Sequence, residues 1–336
     1  MNQAKGKTCE RPPGKEPALD WQQTHYGGVD LLRHFLALEV VVAHAVSSSR
    51  YSPRCNELLH DFGRYNGAVL GFFIVSGFFS KVLFIPAGQE SKHFLAAQAK
   101  KLLLPFLVFS LLDAGVMALL GRQSLAKGLF ETLCLKGSSM QLYFLPLLFG
   151  ITAAFLLIRK FLLGAEMMRQ FGLPALVLAL LLVANSWPTN FVTGNDSRLF
   201  PLYLASYGGG LWLATAWRSR SQGFFKAATA SFALLFLWGF HDYRMALLSL
   251  TGCLFLLALK CSQSAPLNSR QFPGSGGVYL LHVPFVLYAF SEAMQAFGMR
   301  DLANVGSSVL LTYLACLAAT LAFRTRFKSW AFLLLN

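Results

Sequence analysis

The sequence predicts an all-α protein, a polytopic transmembrane helical bundle of about ten spans. Three observations predict this fold class. Of the 336 residues, 55% are hydrophobic and only 13% are charged, whereas a soluble domain carries about 25% charged residues. Apolar stretches of about 20 residues, the length that crosses a bilayer as a helix, recur along the chain. These stretches are continuous rather than alternating, which favours helices over a β-barrel.

The chain divides into two polar ends and an apolar middle. Residues 1–28 contain no apolar core of signal-peptide type, so they predict a disordered cytoplasmic tail and not a cleaved leader. A transmembrane domain is expected over 29–325 and a short cytoplasmic tail over 326–336. The close pairs within 171–217 and 223–260 are also compatible with re-entrant segments. We place spans near 29–48, 65–85, 94–120, 141–159, 171–188, 199–217, 223–240, 243–260, 276–295 and 302–323.

The distribution of positive charge predicts the topology. With the N-terminus in the cytoplasm, the inner segments collect 19 of the 29 Lys and Arg residues and the outer segments nine, with Arg33 inside the first span. This bias follows the positive-inside rule with both termini in the cytoplasm. The basic residues are spread over loops and tails without an aromatic-interleaved patch, so nucleic-acid binding is not expected. We therefore expect a multi-pass protein of the cytoplasmic (inner) membrane.

The six cysteines have no metal-type spacing, and no metal site is predicted. Cys55 and Cys134 both fall in predicted outer loops, where one disulfide is geometrically permitted. Isolated thiols that pack as small hydrophobic side chains are the favoured interpretation.

Ionisable residues inside the predicted spans are the first candidates for function. Such a residue costs about 2.5–3.5 kcal/mol at the centre of a membrane helix, so its presence indicates a functional site. Most of them lie in the first span. The set consists of Arg33, His34, Glu39 and His44 in the first span, Asp113 in the third, and His282 and Glu292 in the ninth.

Arg33 and His44 leave the same face of the first helix, because eleven residues make about three turns. They are separated by about 16 Å along the axis. In the predicted topology Arg33 lies toward the cytoplasm and His44 toward the outer side. Asp30, one turn before Arg33, is placed to pair with Arg33 or with His34. Glu39 points away from His44.

Four short motifs follow one another over about residues 29–325. The first, Asp30-Leu31-Leu32-Arg33 followed by His44, resembles the Asp-x-x-Arg turn and Arg-x10-His spacing of the acyltransferase-3 family of integral-membrane acyltransferases. Phe72-Phe73-Ile74-Val75-Ser76-Gly77-Phe78 resembles its Phe-Phe-x-x-Ser-Gly-Phe signature. Leu142-Tyr143-Phe144-Leu145 is similar to its Leu-Trp-Phe-Leu segment, with Tyr143 in place of Trp. Tyr279-Leu280-Leu281-His282-Val283-Pro284 is similar to its Tyr-Leu-x-His-x-Pro stretch.

The chain departs from the family's pattern at several positions. His34 stands where relatives have Gly, Glu39 at a usually apolar site, and Leu70 where many have an acidic residue. The family often has two arginines three apart ahead of the third span's proline. Here only the adjacent Lys100 and Lys101 precede it, which implies a rearranged contact with the donor.

The resemblance implies transfer of an acyl group, most often acetyl, from cytoplasmic acyl-CoA to a sugar hydroxyl of an envelope glycan. Acyl-CoA would be a co-substrate, with no bound cofactor. The acceptor would be a glycan or lipid-linked saccharide within the membrane-lipid environment. His44 is the expected general base, since an imidazole exchanges protons near neutral pH. Arg33 is expected to hold an anionic part of the donor or to neutralise charge at the thioester carbonyl.

Five further residues are predicted to bind substrate: Asp30, Ser76, Lys100, Lys101 and Tyr143. The last four have a plainer interpretation as well. Ser76, with the glycine that follows it, would permit close helix packing, and the two lysines would be topogenic charges. Tyr143 would belong to an aromatic belt.

A polytopic transporter or flippase of a small anionic or glycan substrate is the main alternative function. Such a protein is expected to show internal pseudo-repeats and interrupted helices in matching halves. The concentration of charge in the first span favours the acyltransferase. A non-catalytic regulatory protein derived from the family is a further alternative.

Overall fold

The computed structural model describes residues 26–46, 52, 55, 57, 67–85, 89–135, 140–163, 173–186, 199–218, 222–238, 243–263 and 271–334. Within these ranges the protein contains twelve α-helices and no strand, so the all-α prediction is confirmed. The helices are α1 Gly27–Val46, α2 Ala68–Phe79, α3 Gln89–Leu119, α4 Leu125–Leu133, α5 Phe144–Leu163, α6 Leu173–Ser186, α7 Leu199–Arg218, α8 Gln222–Trp238, α9 Tyr243–Ser262, α10 Ser275–Leu281, α11 Leu287–Ala296 and α12 Asp301–Arg326. A 3-10 turn at Met140–Tyr143 precedes α5, a π-helical turn at His282–Val286 joins α10 to α11, and a 3-10 segment at Lys328–Leu334 follows α12.

Three of the described helices are long and apolar enough to cross a membrane: Gln89–Leu119, Arg244–Ser262 and Asp301–Arg326. Ala68–Phe79, Phe144–Arg159, Leu173–Val183 and Lys226–Leu235 are apolar but shorter. Helix α1 has 20 residues and carries three charged side chains, Asp30, Arg33 and Glu39. The count of ten spans and the side of each terminus stay predictions.

The ninth predicted span, 276–295, is divided in the structure. Val283 has φ −125° and ψ 148°, which is extended backbone between α10 and α11. It precedes Pro284, and a proline excludes the α conformation from the residue before it. The break therefore follows from the sequence, and it comes immediately after His282.

Helices α2 and α7 approach closely because each presents a glycine to the other's backbone. A Cβ atom added to Gly77 would collide with the carbonyl oxygen of Tyr207, and one added to Gly210 would collide with that of Ile74. Small residues at helix interfaces permit such packing in membrane proteins. The contact fixes α2 and α7 as one wall of the candidate site.

Helix α1 lies at the centre of the fold and packs against α2, α9, α10 and α12. Two buried faces belong to different apolar clusters. The first cluster joins α1 to α2, α7 and α9 through Val29, Leu32, Leu36 and Val40. The second joins α1 to α10, α11 and α12 through Ala37, Val41 and Ala45. The ionisable side chains of α1 consequently lie between packed helices.

The structure describes the chain from Tyr26 to Leu334, apart from the internal gaps given above. Residues 1–25 lie outside the described residues, whereas Tyr26 is buried and α1 begins at Gly27. At the other end, Leu333 and Leu334 of the 3-10 segment are buried. This segment packs against α3, α10 and α12. The domain boundaries stay predictions.

Candidate active site

A cavity of about 400 Å³ lies between α1, α2, α3, α5, α7 and α10. One end is polar and cationic: Asp30, Arg33, Gln98 and Lys101 line it. The guanidinium Nη1 of Arg33 lies 3.8 Å from Oδ1 of Asp30. Two cations and one carboxylate leave a net positive charge, which suits an anionic ligand.

Ser76 and Gly77, the Ser-Gly pair of α2, have different roles. Ser76 lines the cavity, whereas Gly77 faces the backbone of α7. Since successive residues of a helix point about 100° apart, one motif supplies both a polar lining atom and the close packing that shapes the wall.

Three linked hydroxyl groups, from the end of α2, from α5 and from α7, line the cavity. Tyr207 donates a hydrogen bond to Ser80 Oγ at 2.8 Å, and its oxygen lies 3.2 Å from Oγ1 of Thr152. All three residues line the cavity. A buried Tyr hydroxyl held in this way has fixed donors and acceptors, which orient a polar ligand.

The other end of the cavity is closed by aromatic rings. Tyr279 packs against Phe72 and Phe144, each with ring centroids 5.6 Å apart. All three residues line the cavity, and Tyr279 is 4% exposed. We call Phe72, Phe144 and Tyr279 the aromatic partition.

Two histidines lie beyond the aromatic partition. The ring of His282 is 6.2 Å from that of Tyr279, and the ring of His44 is 5.2 Å from that of His282. His282 is fully buried, and neither histidine lines the cavity. The helix break after His282 places this side chain against α1.

The remaining ionisable residues of α1 hold neighbouring segments. His34 binds the hydroxyl of Tyr313 through Nδ1 at 2.7 Å and the carbonyl oxygen of Phe272 through Nε2 at 3.0 Å. Asp30 accepts a hydrogen bond from the amide of Phe272 at 3.3 Å. Glu39 accepts one from the amide of Gly67, at the start of α2, at 2.8 Å. His34 and Glu39, the two departures from the family pattern in α1, thus have structural partners.

The family model for the acyltransferase domain of the acyltransferase-3 family matches residues 26–324, from Tyr26 into α12. The chain belongs to the acyltransferase-3 family. The resemblance predicted from the motifs is therefore confirmed, and the protein is an acyltransferase that transfers groups other than aminoacyl groups. No curated protein and no solved structure matches the chain.

The fold of this acyltransferase brings together four of the seven predicted site residues. Asp30, Arg33, Ser76 and Lys101 line one cavity. The other three lie apart from it. They are Lys100, which is exposed on α3, Tyr143, whose hydroxyl lies 3.3 Å from that of Tyr203, and His44, which lies behind the aromatic partition.

Sequence reasoning did not assign Gln98, Thr152, Tyr207 or Tyr279 to the site. Gln98 lies one turn before Lys101, and that spacing could have indicated it. Tyr279 and His282 share the motif before Pro284, which is the signal that could have linked them. Thr152 and Tyr207 stand in apolar helices without any motif.

The described residues contain no group of three or more His, Cys, Asp or Glu side chains that could hold a metal ion. The thiols of Cys55 and Cys134 are both free, so the permitted disulfide is not formed between them.

Proposed function

We propose that this acyltransferase moves an acyl group, with acetyl as the first candidate, from cytoplasmic acyl-CoA to a hydroxyl of an envelope or exported glycan. It would act as a multi-pass protein of the inner membrane with both termini in the cytoplasm. One observation carries the proposal. The cavity has a cationic end at Arg33 and Lys101 and an aromatic end at Tyr279, and His44 lies beyond that end.

The cationic end suits the phosphates of the donor. A guanidinium binds phosphate through two parallel hydrogen bonds, and a lysine acts as a point charge beside it. Gln98 adds an amide donor. Lys101 lines the cavity and Lys100 does not, so we assign donor binding to Lys101 and leave Lys100 as a topogenic charge.

The middle of the cavity suits the pantetheine arm, which carries two amides and a hydroxyl along an otherwise apolar chain. Ser76, Ser80 and Tyr207 supply hydroxyl groups along this part of the wall. The separation of about 16 Å between Arg33 and His44 along α1 is comparable with the length of the extended arm. Phosphates at Arg33 would thus place the thioester at the aromatic partition.

His44 is the proposed general base for the acceptor hydroxyl. In the predicted topology it lies toward the outer side, where an exported glycan would arrive. Arg33 is too far from His44 to stabilise charge on a carbonyl that reacts there. This distance favours phosphate binding over charge stabilisation at the thioester as the task of Arg33.

The experiment compares the envelope glycans of strains that carry the wild-type gene, His44→Ala or His93→Ala. His93 is an exposed histidine of α3 outside the cavity, so its variant is the matched control. Mass spectrometry before and after mild alkali measures O-acyl esters, and immunoblotting of membranes measures insertion. We expect an alkali-labile acyl mass in the wild type and the control and its loss in His44→Ala. An unchanged ester pattern in His44→Ala and in a deletion strain would overturn the proposal.

A further inference from the structure

We propose that His282 is a positioning residue that holds the ring of His44 and, as a hydrogen-bond acceptor, stabilises its protonated form. The inference rests on the proposed function. It adds His282, at the end of α10, to a site whose general base is His44 of α1. The imidazole rings of His44 and His282 have centroids 5.2 Å apart, with 47° between their planes. The structure contains no hydrogen bond between the two rings, since Nε2 of His282 has no partner among the described residues. The rings are adjacent, however, so a rotation of the His44 side chain would bring a ring N–H to Nε2.

The backbone fixes which nitrogen of His282 carries hydrogen. Nδ1 lies 2.8 Å from the carbonyl oxygen of Tyr279 and 3.2 Å from that of Val278. A carbonyl oxygen only accepts hydrogen bonds, so Nδ1 must be the donor. In the neutral ring Nε2 is then an acceptor with a free lone pair. The same logic assigns tautomers to metal-ligating and catalytic histidines whose second nitrogen is held by the backbone.

The acceptor nitrogen of His282 is buried. Nε2 has no hydrogen-bond partner among the described residues, and the side chain is fully buried. Val278 and Val283, on either side of His282 in the chain, belong to the second apolar cluster, as do Val41 and Ala45 of α1. A buried acceptor without a partner costs free energy. A ring N–H of His44 is the donor that the geometry supplies.

The proton movements balance in one cycle. His44 takes the proton of the acceptor hydroxyl on one ring nitrogen while the hydroxyl oxygen bonds to the acyl carbon of the thioester. The carbon–sulfur bond breaks, and the thiolate leaves. The N–H on the other nitrogen of His44 donates a hydrogen bond to Nε2 of His282, which stabilises the imidazolium. The proton then passes to the thiolate sulfur, so that an ester and a thiol are the products.

Two variants separate the tasks of the two nitrogens of His282. In His282→Asn the side-chain amide stands near the position of Nδ1, so the hydrogen bond to Tyr279 is kept and the acceptor Nε2 is lost. In His282→Gln the amide stands near the position of Nε2, and its oxygen is an acceptor for His44. His93→Asn serves as the control for loss of a histidine.

Kinetics of acyl transfer in proteoliposomes provide the first measurement. We expect His282→Asn to lower kcat by about 10²-fold, the lower range for general acid–base assistance, with the KM for acyl-CoA unchanged. His282→Gln is expected to keep more activity than His282→Asn, because it restores an acceptor for His44. A kcat of His282→Asn close to that of the wild type would overturn the proposed role of His282. A larger loss of kcat in His282→Gln than in His282→Asn would also overturn it. The loss would then follow the hydrogen bond from Nδ1 to Tyr279 and not the acceptor at Nε2.

Nitrogen-15 NMR of histidine-labelled wild-type protein in nanodiscs provides a measurement independent of activity, with His44→Ala and His282→Asn used for assignment. We expect His282 to be protonated at Nδ1 and its Nε2 signal to shift in His44→Ala. If the wild type forms no ester with any acyl-CoA, the proposed function fails. The NMR spectrum is then the only test of the contact between His44 and His282. Protonation of His282 at Nε2, or an Nε2 signal of His282 that does not change in His44→Ala, would overturn the proposed contact between these two residues.

Discussion

The ring of Tyr279 packs edge-on against Phe72, with centroids 5.6 Å apart and planes at 65°, and both rings line the aromatic end of the cavity. Its other neighbour is His282 at 6.2 Å. Tyr279 is thus shared between the cavity proposed for the donor and the histidine pair. The acyl group has to pass this ring to reach His44.

We predict that the size of residue 279 sets the acyl chains that are transferred. Tyr279→Leu should extend the preference toward longer chains, because the smaller side chain opens the aromatic partition. Tyr279→Phe keeps the ring and should leave the preference unchanged. Competition among acetyl-, butyryl- and hexanoyl-CoA, with ester products quantified by mass spectrometry, measures the preference. Identical product ratios in all three proteins would contradict the role of this ring.

We predict that the adjacent lysines differ in their effect on the donor. Lys101→Ala should raise the KM for acyl-CoA about tenfold, because a hydrogen bond to a charged group contributes about 1.5–3 kcal/mol. Lys100→Ala is the matched control and should leave this KM unchanged, since Lys100 is exposed outside the cavity. Initial rates at varied acyl-CoA measure both values.

An acyl-pantetheine donor without the nucleotide phosphates makes this test specific. Lys101→Ala should lose its effect with that donor, because the contact it removes is absent. An equal rise in KM for both donors would show that Lys101 acts on the fold and not on the phosphates.

The two lysines also show where sequence reasoning ends. Their charge and their position in the sequence predicted both at the inner end of the third span. Neighbouring residues of a helix point about 100° apart, so only one faces the cavity, and the rotation of α3 decides which. That rotation depends on packing against other helices. The local sequence therefore located the cationic end without separating Lys101 from Lys100.

The first helix was more predictable, since its geometry is local. The spacing of Asp30, Arg33 and His44 fixed their shared face and the distance along the axis. The structure places Asp30 beside Arg33 and turns Glu39 toward Gly67. The contact of His44 with His282 joins residues far apart in the chain. It depends on the approach of α10 to α1, which helix periodicity does not encode.

We predict that Gly77 is required for stability. In Gly77→Ala the added methyl group collides with the backbone of α7, and overpacking of this kind costs about 1–3 kcal/mol. Gly115→Ala is the matched control, because nothing lies within 4 Å of a Cβ at that position. Thermal unfolding in detergent, monitored by size-exclusion chromatography of heated samples, should show a Tm lower by several degrees for Gly77→Ala only. Equal Tm values would contradict the close packing of α2 on α7.

The predicted topology places Cys134 and Cys261 on opposite sides of the membrane, and both thiols are exposed. Cys134 follows α4 in a predicted outer loop, whereas Cys261 lies at the predicted cytoplasmic end of α9 beside Lys260. The test uses a membrane-impermeant maleimide on intact cells and two variants that each keep one of these thiols. The first carries Cys9→Ser and Cys261→Ser, and the second Cys9→Ser and Cys134→Ser. We expect labelling of Cys134 on intact cells and of Cys261 only after permeabilisation. The reverse pattern would place both termini outside, so the cationic end of the cavity would face away from cytoplasmic acyl-CoA and the proposed direction of transfer would be wrong.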